Sequence, residues 1–175
     1  AHLLGDVRGA RVLEVGSGKL YVSRYGSNAN AGSEPFDAGS DIVIVDSASG
    51  EISGRIDLAS VMEGVADGIL PNPSRMVLRD DHAFLLLSAY SKSFAMSDDG
   101  RVAVIDTNGD ALSSFAVVTG MRGCSALALA PSGDRLAVDG LVHDRARGRE
   151  TERARADALA HEVGHGLDVV GRRGL

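Results

Sequence analysis

At 175 residues the chain is long enough for one domain with a sizeable core, and 44% of it is hydrophobic although only 4% is aromatic and tryptophan is absent. Val, Ile, Leu and Ala must therefore fill that core. A formal net charge of −6 argues against nucleic acid or an anionic membrane surface as partner, the single cysteine excludes an internal disulfide, and no apolar run reaches the ~18–20 residues of a transmembrane span.

In chain order, Val12-Leu13-Glu14-Val15 leads through a glycine turn into Leu20-Tyr21-Val22-Ser23, a predicted β-hairpin. Next comes Ile42-Val43-Ile44-Val45-Asp46, a polar turn bearing Gly50, and a second strand carrying Ile52, Ile56 and Leu58. Met76-Val77-Leu78 and Ala83-Phe84-Leu85-Leu86-Leu87 repeat the first kind of hairpin. Val102-Ala103-Val104-Ile105-Asp106, with Thr107-Asn108-Gly109-Asp110 and then Leu112, Phe115 and Val117, repeats the second. Leu127-Ala128-Leu129-Ala130 and Arg135-Leu136-Ala137-Val138 return to the first. Asp46 and Asp106 lie 60 residues apart, so two alternating hairpins form an internal repeat somewhat longer than the ~40–50 residues of a propeller blade.

Hairpins at 12–23, 42–58, 76–88, 102–118 and 127–138 make about two and a half four-stranded antiparallel units. That predicts a mainly β fold, a partial β-propeller over residues 1–140. Continuous apolar runs such as Phe84 to Leu87 fit strands covered on both faces. A parallel α/β sheet is the rival, but no amphipathic helix is long enough for its crossovers. Within each unit the two hairpin turns are short, whereas the links 26–40, 59–73, 91–100 and 119–124 are long. In an up-and-down unit the long links gather on one face, which becomes the expected binding surface for a protein or small-molecule ligand.

Leu20-Tyr21-Val22-Ser23, Ile44-Val45-Asp46 with Gly50-Glu51, Val102 to Asp106, and Ala128-Leu129-Ala130-Pro131-Ser132-Gly133 resemble the YVTN-repeat, lactonase-like β-propellers of bacteria. The resemblance covers roughly residues 10–140 and describes strand cores and turns rather than chemistry. It implies a binding or structural module of an exported or surface-associated protein: an extracytoplasmic location, with lactone hydrolysis as a further possibility because some relatives share the fold. No lactonase site maps residue by residue. This chain carries no basic-then-apolar leader and too few blades to close a ring, so it is expected to be a mature form or a fragment of a longer protein. Its exposed blade edges would then be available for self-association.

From about Leu141 the composition changes: residues 141–175 hold seven arginines and no lysine against six acidic residues, whereas 1–140 holds 11 basic against 18 acidic. This Arg-rich tail is expected to be helical over 150–170, because Ala156, Leu159, Val163, Leu167 and Val170 recur at helical spacing. Inside it stands His161-Glu162-Val163-Gly164-His165. Two histidines four residues apart on a helix face can both ligate zinc, and the glutamate between them can act as base toward a metal-bound water. With its flanks the segment resembles the active-site helix of zincin metallopeptidases, which implies His161 and His165 as ligands and Glu162 as general base. Asp168 would be a further ligand or a partner of one. The metzincin pattern would instead place glycine at Asp168 and histidine at Gly171. The plain alternative is a surface helix with no metal, and no cofactor is expected on that reading.

Other candidates are weaker. Asp106 to Asp110 has the acidic spacing of half a calcium loop, yet Asn108-Gly109 is a hairpin-turn signal and no bidentate glutamate follows. Ser97-Asp98-Asp99-Gly100 reads as a polar loop, Cys124 as a packing residue, and His82 as a solvated turn residue.

Overall fold

The computed structural model describes residues 10–16, 18–34, 36–133, 135–144, 149–159 and 168–170, with backbone alone beyond Leu141. The fold is mainly β. Thirteen strands are described: β1 (Arg11–Glu14), β2 (Lys19–Ser27), β3 (Gly39–Asp46), β4 (Ile52–Ile56), β5 (Ile69–Leu70), β6 (Pro73–Arg79), β7 (His82–Leu87), β8 (Tyr90–Ser91), β9 (Asp99–Asp106), β10 (Ala111–Leu129), β11 (Arg135–Asp144), β12 (Arg149–Leu159) and β13 (Asp168–Val170). Among the described residues the only helical element is a 3-10 turn, Ala59–Met62.

Strands β1-β2-β3-β4 form one sheet, β6-β7-β9-β10-β11-β12-β13 run on as a second, curled sheet, and β5 pairs with β8 in a short ribbon. Among the described residues every pairing is antiparallel, which disposes of the parallel α/β rival. The five predicted hairpins form at their expected places.

The apolar runs explain how the sheets stack. Side chains alternate across a strand, so a run with no polar interruption must be covered on both sides. In β7 and β9, Ala83, Leu85, Leu87, Ala103 and Ile105 pack with Tyr21, Ile42, Ile44, Ile56, Leu58 and Val61 of the first sheet and the link that follows it. Their neighbours Phe84, Leu86, Val102 and Val104 pack the opposite way, against Val118, Met121, Cys124, Leu136 and Val138. Two cores thus share the same two strands. β6 lies against β1 and β2 on one side and against β10 on the other.

The repeated turns are also built alike. Asp46 Oδ1 accepts from the backbone N–H groups of Ala48 (3.0 Å) and Ser49 (2.7 Å), and Asp106 Oδ1 accepts from Asn108 N–H (3.0 Å). Each aspartate closes an Asx turn. The left-handed position falls four residues after it, at Gly50 (φ 73°) in one copy and at Asp110 (φ 52°) in the other.

Two expectations about the strands and links fail. The link 119–124 is not a loop but a bulged bend within β10, whose N-terminal part pairs with β9 and whose C-terminal part pairs with β11. Register shifts flank Arg122 on both sides, and Gly120 (φ 78°) and Gly123 (φ 56°) supply the left-handed backbone that such bulges need. The second correction concerns the tail. The helix expected over 150–170 does not form where the chain is described: β12 pairs along β11 from Arg149↔Asp144 to Leu159↔Arg135, and β13 pairs with β12. The open edge of β11 offers unpaired backbone groups, and the period-two run Arg153-Ala154-Arg155-Ala156-Asp157-Ala158 suits a strand laid along it.

Candidate binding face

Strand directions alternate, so the turns after β1, β3, β6, β9 and β10 fall at one end of the sheets. The links after β2, β4 and β7 and the bend in β10 fall at the other end. The one-sided placement of the long links expected from the sequence is what the topology produces.

These links are tied together from within. Asn72, 2% exposed and left-handed at φ 49°, joins three of them. Its Nδ2 donates to the Tyr25 carbonyl (3.0 Å), its backbone N–H to Ser40 Oγ (3.3 Å), and its Oδ1 accepts from Tyr90 N–H (2.8 Å). Ser88 Oγ donates to the Cys124 carbonyl (2.6 Å) and brings in the fourth. A buried side chain with all these bonds made holds the loop end as one body rather than as separate excursions.

Beneath the β2–β3 link, Arg24 and Asp41 face each other in register. Arg24 Nε and Nη2 donate to the two carboxylate oxygens of Asp41 at 2.7 Å each, and Nη1 donates to the Phe36 carbonyl. Arg55 Nε adds a third bond to Asp41 at 2.5 Å. A second charged group gathers around Asp99. Its Oδ2 accepts from Gly120 N–H (3.0 Å), Arg122 Nε lies 3.9 Å from its Oδ1, and its carbonyl accepts from Arg101 Nη1 (2.8 Å). Asp99 and Gly100 therefore open β9 with the carboxylate turned inward, not a solvent-facing polar loop. Neither arginine cluster is singled out by the sequence reading. The available signal was a charge at the mouth of each apolar strand, as in Asp41-Ile42 and Arg101-Val102.

On the surface of this end Phe94 is 58% exposed and Met96 52%. Phe94 stacks parallel to Tyr25 (centroids 6.3 Å apart, 10° between planes) and leans on Tyr90 (5.6 Å, 55°). Its backbone is left-handed at φ 60°, which is unfavourable for a bulky residue and is sustained only by fixed surroundings. Burial pushes the Tyr25 phenol up, against a lowering contact from Ser88, so it stays protonated at neutral pH.

The remaining candidates resolve as follows. The hairpin turn forms at 106–110: Thr107 donates to the Asp81 carbonyl, while Asp110 accepts from Lys19 and Tyr21. His82, expected to be a solvated turn residue, opens β7 with its side chain mostly buried and its Nδ1 2.8 Å from Asp81 Oδ1. Cys124 is 1% exposed, held between Gly100 and Gly140, and burial, then Asp99 and Asp139, push its thiol up to about 12. A thiol so placed is a packing group and not a nucleophile. His161, Glu162 and His165 lie outside the described residues. Asp168 opens β13 with its backbone opposite Leu159, so the helix that would align it with the histidines is absent at that position. Among the described residues no three His, Cys, Asp or Glu side chains converge as a metal-binding group.

No family model matches the chain, and no curated protein matches it by sequence. In structure it is similar to a chain of hydrazine synthase from Kuenenia stuttgartiensis, with a TM-score of 0.59 and 14% sequence identity. That match covers 88% of this chain and 38% of the other, so this chain spans well under half the length of its structural neighbour. At such identity the likeness bears on the fold alone.

Proposed function

We propose that the chain is an arc of a β-propeller that serves as a non-catalytic binding or structural module, with the loop end as its contact surface. The antiparallel four-stranded sheet β1 to β4, the two cores on either side of β7 and β9, and the structural likeness support the propeller reading. The observation that carries the functional reading is the loop end itself. Four segments distant in sequence are locked together by Asn72 and Ser88 and display Phe94 and Met96 to solvent. The opposite end is trimmed to tight turns. An exposed aromatic on a rigid base is the kind of anchor that binding surfaces use.

The test is a Phe94→Ser, Met96→Ser double variant set beside a control on the turn end, Asn108→Ser. The full chain should be used to capture partners from an extract of its source, and captured proteins should be re-bound in purified form. Loss of a purified partner's binding in the loop-end variant, with retention in the control, supports the reading. Equal loss in both, or binding unaffected by either, refutes it.

A zinc-dependent, metallopeptidase-like hydrolase is the second reading, carried by the spacing of His161, Glu162 and His165. Metal analysis of protein purified without added zinc separates the two: one zinc per chain, lost in His161→Ala, favours the hydrolase. Lactone turnover dependent on a divalent ion would favour the lactonase relatives instead. An extracytoplasmic location follows from the YVTN-like resemblance and is tested by fractionating cells that express the full-length protein.

A further inference from the structure

Sulfur occurs in this chain in Met62, Met76, Met96, Met121 and Cys124, and the fold treats one of the five differently. Met121 and Cys124 are 4% and 1% exposed and belong to the core shared by β9, β10 and β11. Met76 packs half-buried on the other core, and Met62 ends the 3-10 turn half-buried. Met96 alone is open to solvent, at 52%, on the loop end and two residues from Phe94.

The turn that carries Met96 is closed without its side chain. Ser91 N–H donates to the Met96 carbonyl (2.9 Å), Met96 N–H donates to Ser91 Oγ (3.1 Å), and Phe94 N–H donates to the Ser91 carbonyl (2.9 Å). Ser91 is 4% exposed, and just outside it Asp98 N–H donates to the Ala89 carbonyl (3.0 Å). These bonds hold the backbone of the turn while the thioether projects to solvent. A change of chemistry at that sulfur therefore alters the surface and leaves the turn and both cores in place. Sulfoxide formation is such a change: it converts a flexible apolar side chain into a polar one and disrupts contacts that depend on methionine.

We propose that Met96 is a site of reversible oxidation to the sulfoxide by a hydroperoxide, and that this modification turns off the loop-end contact surface. With hydrogen peroxide, a sulfur lone pair attacks one peroxide oxygen, the S–O bond forms and the O–O bond breaks. Sulfur is oxidised by two electrons, and the second oxygen leaves as water with both peroxide protons. Methionine sulfoxide reductases restore the thioether at the expense of a thiol. The thioether does not ionise, so access decides which sulfur reacts, and in the native fold access favours Met96. Cys124, the more reactive kind of sulfur, is withdrawn by its burial. The switch rests on the reading of the loop end as the contact surface.

The experiment treats the full chain with dilute hydrogen peroxide for increasing times and maps the added oxygen by peptide mass spectrometry. Met96 should be oxidised first, Met62 and Met76 later, and Met121 only when urea is present. Protein oxidised at Met96 alone should melt within about 2 °C of the untreated chain, because the change is confined to the surface. Phenyl-agarose serves as the apolar probe. Retention on it should fall on oxidation and recover after treatment with methionine sulfoxide reductase and dithiothreitol. Met96→Leu should keep its retention through peroxide treatment, and Met96→Gln should be weakly retained before any. A purified partner captured on the loop end should bind the oxidised chain roughly tenfold more weakly. Oxidation of Met62 or Met76 as fast as Met96 overturns the proposal, as does unchanged retention after oxidation of Met96 or an equal fall in Met96→Leu. If the Phe94→Ser, Met96→Ser variant loses its partner while Met96 shows no preference for peroxide, the switch fails and the surface reading stands. If Met96 is oxidised first and reversibly while partner binding ignores both residues, the surface reading fails and the switch with it, and the modification site stands.

Discussion

Asp110 offers the sharpest test of how the two halves of this fold are joined. It occupies the left-handed position that its repeat mate fills with Gly50, and a non-glycine residue there is disfavoured by about 1 kcal/mol or more. Opposing this, its Oδ1 accepts from the Tyr21 hydroxyl at 2.5 Å and from Lys19 Nζ at 2.6 Å, both from a strand some 90 residues away in sequence. The Tyr21 bond has an ionised acceptor and a fully buried residue as donor, so losing it costs about 1.5–3 kcal/mol. The Lys19 pair is roughly a quarter to a third exposed and Lys19 keeps the Thr107 carbonyl at 2.7 Å, so its loss adds only about 0.5–1 kcal/mol. Asp110→Ala should therefore destabilise by about 2–4 kcal/mol in urea denaturation. Asp110→Gly loses the same bonds but relieves the backbone, and should recover about 1 kcal/mol of that. Asp110→Asn tolerates the left-handed backbone and retains a neutral acceptor, so it should lie above both. The expected order of stability is wild type, Asn, Gly, Ala. A glycine variant more stable than wild type would refute the claim that the inter-sheet bonds outweigh the strain. Equal stability of Gly and Ala would refute the strain itself.

The other predictions concern buried charge and alkaline pH. Asp41→Ala strips Arg24 (side chain 6% exposed) and Arg55 (33%) of their shared acceptor. It should cost about 3–5 kcal/mol, seen as a lowered urea midpoint, and a loss below about 1 kcal/mol would contradict the buried pairing. The Tyr21 phenol and the Cys124 thiol are both held protonated by burial, with Asp110 reinforcing the first and Asp99 the second. The unfolded chain releases these protons near ~8.5 (Cys) and ~10 (Tyr) while the native state retains them. Stability should thus be full below about pH 8 and fall above it, with Cys124→Ala removing the earlier part of the decline and Tyr21→Phe the later part. A stability flat from pH 8 to 11 would count against the assignment. In the native protein Cys124 should react with Ellman's reagent only as fast as the fold opens.

Much of this architecture is legible because its signals are short-range and redundant. The runs Ile42 to Val45, Phe84 to Leu87 and Val102 to Ile105 are apolar at every position, as strands covered on both faces require, and their β-branched content with short flanking turns favours strand over buried helix. The Asp46 and Asp106 turns carry their own hydrogen-bond acceptors in place, so the hairpins could be located closely. The loop-end lock is different in kind. Asn72 is one asparagine in a link, and nothing local marks it as the residue that will find Tyr25, Ser40 and Tyr90. Arg24 and Asp41 likewise reveal their pairing only once the β2–β3 register is known. The bend in β10 carries Gly120 and Gly123, and glycine punctuates a loop and a bulge alike, so only pairing with β9 and β11 decides between them.

In the tail, periodicity alone does not separate helix from strand. Ala154 and Ala158 stand four apart, a spacing that a helix face and every second position of a strand both satisfy. From Ala156 and Leu159 outward, Val163 and Leu167 continue a helical spacing. Reading inward across Arg153, Arg155 and Asp157 gives strict alternation, which only a strand explains. What separates the readings is not in the segment at all. β11 has an apolar inner face with Leu136 and Val138 fully buried, and its outer edge carries a row of backbone donors and acceptors. A chain returning through a short connection can satisfy that row at once by pairing along it, whereas a helix placed there would leave it to water. β12 takes up the edge over ten register pairs, from Leu159↔Arg135 to Arg149↔Asp144. The strand that precedes a segment can outweigh that segment's own propensity, and here it does.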